Sequence, residues 1–365
     1  MEDWQRSLSE SVVTEKDLAK HFNVNPDEIR AIIKEYPMRI PRYYLNLIEK
    51  PGDPIWLQAV PDVREIQDLG CPDDPLNEEV DSPVPNLVHR YPDRVLFLVT
   101  FQCTMYCRFC TRKRGVGHPD FVDRHAFDKA IRYIAEHEEI RDVILSGGDP
   151  LILTDDKLEK ILRPLREIPH LDILRIGTKV PCTFPERITQ GLCDMLKRYH
   201  PLFINVHFNH PRELTPESKK ACGMLADAGI PLGNQTVLLK GVNDDPEVMS
   251  ALMKGLLKMR VKPYYIYQAD ITKGTNHFRT KVETGLKVMS ALRGHTSGLA
   301  VPYFVIDAPG GGGKIPVLPD SIVGFDEQTG EYLLRNYEGK IYRYPEAGLE
   351  VQISTESQLP VDWVA

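Results

Sequence analysis

Apolar residues through the middle of the chain fall into short runs separated by longer stretches of helical period. Val95–Thr100, Asp142–Leu145, Ile173–Gly177, Phe203–Val206, Thr236–Leu239 and Tyr264–Gln268 read as strands buried on both faces. Between and after them, helical patterns lie near His125–His137 and Asp155–Ile168, open at Pro185, follow Thr215, and recur near Pro246–Met259 and Val282–Leu292. Thr154 and Thr215 stand where N-caps belong. Strand–helix alternation of this kind predicts a parallel sheet with helical crossovers. Val301–Ile306 adds a seventh strand. The fold class expected is α/β, a partial (β/α)6-type parallel barrel. Residues 1–84 form an N-terminal helical extension and 85–314 the barrel. Residues 315–365 form a C-terminal β meander and tail, with strand-like alternation from Ile322 to Tyr344.

Polar residues accumulate where the strands end. A cysteine loop follows the first strand and Ser146-Gly147-Gly148-Asp149-Pro150 the second, while His207, Asp270 and Asp307 close later strands. Each alone could be a cap or turn residue; together they outline one rim at the C-terminal ends of the strands, where barrel enzymes place their sites.

Composition narrows the class. A net charge of -7 argues against nucleic acid as a partner. No apolar run approaches the ~20 residues of a membrane span, and the polar start lacks a secretory pattern. Seven cysteines, an odd number, argue against a disulfide framework and for a reducing cytoplasm.

The chemistry concentrates in Cys103-Thr104-Met105-Tyr106-Cys107-Arg108-Phe109-Cys110. Three thiols suit three irons of a 4Fe–4S cluster and leave the fourth iron for an outside ligand. A zinc knuckle borrowing a distant fourth ligand is the alternative. With the aromatic residue before the last cysteine, the loop resembles that of the radical S-adenosylmethionine (SAM) enzymes. A second unusual stretch is Pro309-Gly310-Gly311-Gly312-Gly313-Lys314. It is not a nucleotide P-loop, because the required first glycine is Ala308 and the residue after the lysine is Ile315. Glycines let a backbone approach a ligand closely, and a lysine presented there suits covalent attachment of pyridoxal phosphate (PLP). Arg90, Tyr91 and Arg94 could hold its phosphate.

Taken together, these motifs resemble the lysine 2,3-aminomutases over nearly the whole chain. The likeness also rests on Pro41–Leu45, Gln58–Pro61, Gly241–Asp244 and Tyr267–Asp270. It implies that Cys103, Cys107 and Cys110 ligate the cluster, and that Ser146, Gly147, Gly148, Asp149, His207 and Gln235 contact SAM. Lys314 would carry PLP, with Arg90, Tyr91 and Arg94 around its phosphate. Arg112 would hold the substrate carboxylate, and Asp270 with Asp307 its far amino group. The implied reaction moves the amino group of L-lysine from C2 to C3, giving β-lysine, with an electron supplied by a flavodoxin or ferredoxin. Ornithine or arginine as substrate, or a lysine aminomutase serving translation-factor modification, are the alternatives. The resemblance also implies a homo-oligomer. Some relatives bind zinc through a cysteine after the Gly-Val-Asn-Asp run; here that position is Asp245 and no cysteine follows Cys222, so no zinc is expected.

Overall fold

The computed structural model describes residues 3–68, 70–118, 123 and 126–346. Nine strands form one sheet in chain order: β1 (Leu87–Tyr91), β2 (Arg94–Thr100), β3 (Asp142–Gly147), β4 (Ile173–Thr178), β5 (Leu202–Val206), β6 (Leu232–Leu238), β7 (Lys262–Gln268), β8 (Tyr303–Ala308) and β9 (Gly313–Pro316). From β2 to β8 the strands run parallel; β1 and β9 flank them antiparallel. The sheet curls into a nearly closed barrel with its seam between β1 and β9. Across the seam, the Lys314 backbone N–H donates to the Tyr91 hydroxyl at 2.9 Å. A separate antiparallel meander follows, of β10 (Ile322–Asp326), β11 (Glu331–Arg335) and β12 (Ile341–Pro345).

Side-chain alternation divides each strand between two environments. On β3, Val143 and Leu145 are buried in the main core, whereas Asp142, Ile144 and Ser146 line the inside of the barrel. β4 repeats this, with Leu174 and Ile176 outward, and Arg175 and Gly177 inward. The outward faces pack beneath amphipathic helices such as Asp155–Arg166 and Pro246–Lys258. Inward faces are not filled by apolar side chains, so the barrel is hollow.

Several sequence expectations shift in detail. β1 and β9 escaped the hydrophobic pattern, since β1 buries only Leu87 and Val88 before turning polar, and β9 buries only Gly313. The segment opening at Pro185 is a single 3-10 turn, and the helix proper is Gln190–Leu196, capped by Thr189. Thr215 caps its helix through the Ser218 N–H, but the Thr154 side chain makes no such bond. The helix expected from His125 begins at Phe127, and His125 lies outside the described residues, as do 347–365 of the tail.

The N-terminal segment is more than a collar of short helices, because it fixes the cysteine loop. Tyr106 N–H donates to the Arg39 carbonyl at 3.1 Å and Arg108 N–H to the Gln58 carbonyl at 3.0 Å. Arg39 returns a bond to the Cys103 carbonyl at 2.9 Å. The Arg108 guanidinium is buried and reaches Glu65, together with the Tyr36 and Pro37 carbonyls. Lys113 donates to the same Glu65 carboxylate at 2.6 Å. Burial opposes the Glu65 charge, but Arg108 and Lys113 outweigh it and hold the carboxyl below its ordinary value. That ion pairing stabilises fully above the usual glutamate range and is lost as pH falls through the lowered value. Glu65→Gln leaves two buried cations without a counter-charge. Urea unfolding at pH 7 is expected to show a loss of about 3 kcal/mol, shrinking as the pH is lowered toward 3.

Candidate active site

The hollow of the barrel is a single cavity of about 910 Å³. Cys103, Cys107 and Cys110 line it, as do Arg112, Ser146, Gly147, Gly148, Asp149, His207 and Gln235. Arg90, Tyr91, Arg94, Asp270, Asp307 and Lys314 line the same space. Residues more than 200 positions apart in the chain therefore share one chamber.

The cysteine loop meets the Ser-Gly-Gly-Asp turn by direct backbone contact. Gly148 N–H donates to the Thr100 carbonyl at 2.5 Å and Asp149 N–H to the Gln102 carbonyl at 2.9 Å. Gly147 has φ 121°, and a Cβ there or on Gly148 would overlap the Thr100 or Gln102 carbonyl oxygen. Only glycine permits this approach. The Asp149 carboxylate is consumed by the protein itself, accepting from the Thr178 hydroxyl at 2.7 Å and from the Lys179 N–H at 2.7 Å. It locks β3 to β4 beneath the cysteine loop.

Burial pushes all three loop thiols up, Cys107 to about 12, so a metal that they ligated would have to displace their protons. Among the described residues, no three His, Cys, Asp or Glu side chains converge on one point. A cubane cluster asks for something different, one thiolate at each of three corners. Beside the loop, buried Lys179 donates to Glu213 at 3.0 Å and to the His207 carbonyl at 3.1 Å. Despite burial, Lys179 and the Tyr44 hydroxyl hold Glu213 down to about 2. Burial and Lys179 push His207 down to about 3, so its ring is neutral at pH 7, with Nε2 3.0 Å from Asn209 Oδ1. Phe109 meets the His207 ring at a tilt and the Phe278 ring edge-on, with centroids 5.5 and 6.2 Å away, and closes an apolar patch with Val242 and Ala269.

At the seam, Lys314 Nζ lies 2.7 Å from Asp307 Oδ2, with the Tyr267 ring centroid 5.7 Å away. Asp270 is the unsatisfied member of the group: its Oδ1 is buried without a hydrogen-bond partner. Burial, reinforced by Asp307, pushes its carboxyl up to about 7. The Lys314 ammonium thus stands where this pair of acids would hold a cation. Arg94 stacks on the Tyr91 ring at 4.0 Å, and Arg90 is bound by Asp81 and the Leu76 carbonyl. A Cβ on Gly313 would come within 3.0 Å of the Tyr91 hydroxyl, so the glycine run lets Lys314 lie against β1. Arg112 is gripped by Glu78, from Nε at 2.9 Å and Nη2 at 2.5 Å. Glu78, Lys179 and Glu65 carried no sequence signal, because a lone acid or lysine has no distinguishing spacing.

A curled parallel sheet with three cysteines after its first parallel strand defines a radical SAM protein, and the Radical SAM superfamily matches residues 97–252. The Lysine-2,3-aminomutase family matches residues 289–359. The L-lysine 2,3-aminomutases of Fusobacterium nucleatum and Acetoanaerobium sticklandii are each 51% identical over 351 residues, covering 94% of this chain and 82% and 84% of theirs. The glutamate 2,3-aminomutase of Clostridioides difficile is 47% identical over 351 residues, 94% of this chain and 83% of its own. The chain belongs to the lysine 2,3-aminomutase family. Membership of the radical SAM superfamily implies a 4Fe–4S cluster and SAM. Among the described residues, no helix is long and apolar enough to cross a membrane.

Gly148→Ala tests the close approach between the two loops. The added methyl costs about 2 kcal/mol and displaces the cysteine loop. Anaerobically reconstituted variant is expected to retain much less iron per chain than wild type, with an unchanged far-ultraviolet circular dichroism spectrum.

Proposed function

We propose that the protein is a radical SAM and PLP-dependent aminomutase that interconverts L-lysine and β-lysine. The observation that carries this reading is the acidic end of the cavity, where Asp307 holds the Lys314 ammonium at 2.7 Å and Asp270 Oδ1 is buried without a hydrogen-bond partner. The identity figures alone do not choose a substrate, since 51% and 47% lie too close. Charge does. Two acids facing one point attract a cationic side chain and repel a glutamate side chain, a contrast worth several kcal/mol where water is scarce.

When bound, the cluster with SAM supplies a radical that removes a substrate hydrogen atom, and PLP supplies the carbonyl that carries the migrating nitrogen. The residues present fit these groups. Cys103, Cys107 and Cys110 would ligate iron from one wall of the cavity. Ser146, the exposed backbone of Gly147 and Gly148, His207 and Gln235 would line the SAM site, and Asp149 would hold that turn in place. Lys314 would carry PLP, with Arg90, Tyr91 and Arg94 about the phosphate. Asp307, now held by Lys314, would together with Asp270 take the substrate's far amino group. Arg112 would take the substrate carboxylate. With both ends fixed by charge, the carbon from which hydrogen is removed is set by geometry rather than acid strength. Phe109, Phe278 and Val237 shield that space from water.

The seven free cysteines accord with a reducing cytoplasm, where a flavodoxin or ferredoxin would supply the electron. In this reading the chain acts as a homo-oligomer.

Reconstitution with iron, sulfide, PLP, SAM and a one-electron reductant, followed by assay against lysine, glutamate, ornithine and arginine, tests the substrate. Lysine is expected to yield 3,6-diaminohexanoate, and glutamate to remain unchanged; isomerisation of glutamate in place of lysine would overturn the reading. Lys314→Ala is expected to abolish the PLP absorbance and leave the cluster spectrum intact. The acids also predict a pH dependence. Asp270 is charged above about 7 in the ligand-free protein, while the lysine side chain stays cationic to about pH 10. Lysine affinity is therefore expected to rise between pH 6 and 8, and Asp270→Asn to flatten that profile.

A further inference from the structure

We propose that Glu78 is the positioning residue for Arg112 and so sets the preference of the cavity for a substrate bearing an α-carboxylate. The inference rests on the reading of Arg112 as the carboxylate partner and adds to it the residue that fixes its guanidinium.

Glu78 sits in the strap Cys71–Ser82, which is tied down along its length. The Pro72 carbonyl accepts from the Lys273 N–H at 3.0 Å, and the Pro75 carbonyl accepts from the Gly310 N–H at 2.9 Å. The Asp73 carbonyl accepts from Arg114 Nη1 at 2.8 Å, and the Glu78 carbonyl from the Ser82 hydroxyl at 2.7 Å. Asn77, at φ 54°, turns the chain just before Glu78. The Glu78 carboxylate is thus delivered into the cavity by a segment held between the loop after β7 and the glycine run.

Its grip on Arg112 is bidentate and from the side. Nε donates to Oε2 at 2.9 Å and Nη2 to Oε1 at 2.5 Å. A guanidinium has five N–H donors in one plane. This pairing uses one on Nε and one on Nη2, and fixes the plane. It leaves Nη1 without a protein partner among the described residues, on a side chain that lines the cavity. The free edge offers two parallel donors, one on Nη1 and the outer one on Nη2, which is the geometry a carboxylate takes bidentately. Burial disfavours the Arg112 charge, but Glu78 outweighs it and keeps the group firmly protonated. Without Glu78 the side chain would be free to rotate its donors away.

Calorimetric binding of L-lysine and of 1,5-diaminopentane, which is lysine without its carboxylate, tests this on protein loaded with cluster and PLP and without SAM. Wild type is expected to prefer lysine by roughly 10- to 100-fold, the worth of a charge-assisted pair. Glu78→Gln, nearly the same size, is expected to weaken lysine binding about tenfold and leave diaminopentane unchanged. Glu78→Asp should recover part of the preference. A merely structural role would weaken both ligands together. If Glu78→Gln keeps the lysine preference while Arg112→Gln loses it, this inference is overturned and the role of Arg112 stands. If Arg112→Gln also keeps the preference, the carboxylate reading fails, and this inference fails with it.

Discussion

The structure depends on a sheet that buries only one of its faces. Each parallel strand sends alternate side chains outward into a close-packed layer beneath helices, and the intervening ones into a hollow. A small barrel normally fills its interior with branched apolar residues. Here the inner positions are Arg94, Asp142, Arg175, Asn205 and Gln235, among others. Such groups are more tolerable away from bulk water when paired, as where Asp142 accepts from Arg175 at 2.9 Å and Gln235 donates to the Tyr267 hydroxyl at 3.0 Å. The hollow is lined by these polar groups together with apolar ones such as Leu96, Ile144 and Leu232.

Placing chemistry in a hollow barrel creates a second requirement, that the loops at its rim be held still. The cysteine loop is anchored from three directions. Backbone from β3 presses on it through the Gly147–Gly148 turn. The N-terminal segment grips it through Arg39, Gln58 and Glu65. From below, Lys179 and Glu213 form a buried pair that also holds His207 by its carbonyl. The same N-terminal segment continues as the acidic strap across Arg112 and Arg114. A region that reads in the sequence as a peripheral extension thus supplies counter-charges to the centre of the molecule.

Charge organises the cavity along its length. Arg112 with Glu78 stands at one place, and Asp270 with Asp307 and Lys314 at another. Burial, reinforced by the neighbouring Asp307, pushes the Asp270 carboxyl up to about 7. A cation placed beside a buried carboxyl favours its charged form, as the Lys314 ammonium does here.

Much of this was legible in the chain itself. Strand and helix periods gave the seven parallel strands, because a buried strand between amphipathic helices has no other stable arrangement. The cysteine spacing, the glycine–lysine run and the acids at Asp270 and Asp307 stood out as candidates by residue type alone, and the structure brings them to one cavity. Tertiary structure decided what local pattern cannot encode. It brought Tyr91 and Lys314 together across a seam whose strands, β1 and β9, are too short and too mixed in character to show a buried-strand pattern. It spent the Asp149 carboxylate on Thr178 and Lys179, and gave Arg112 a partner from 34 residues upstream. Pairing between distant charged groups leaves no period in a sequence; only folding determines which opposite charges share a site shielded from water.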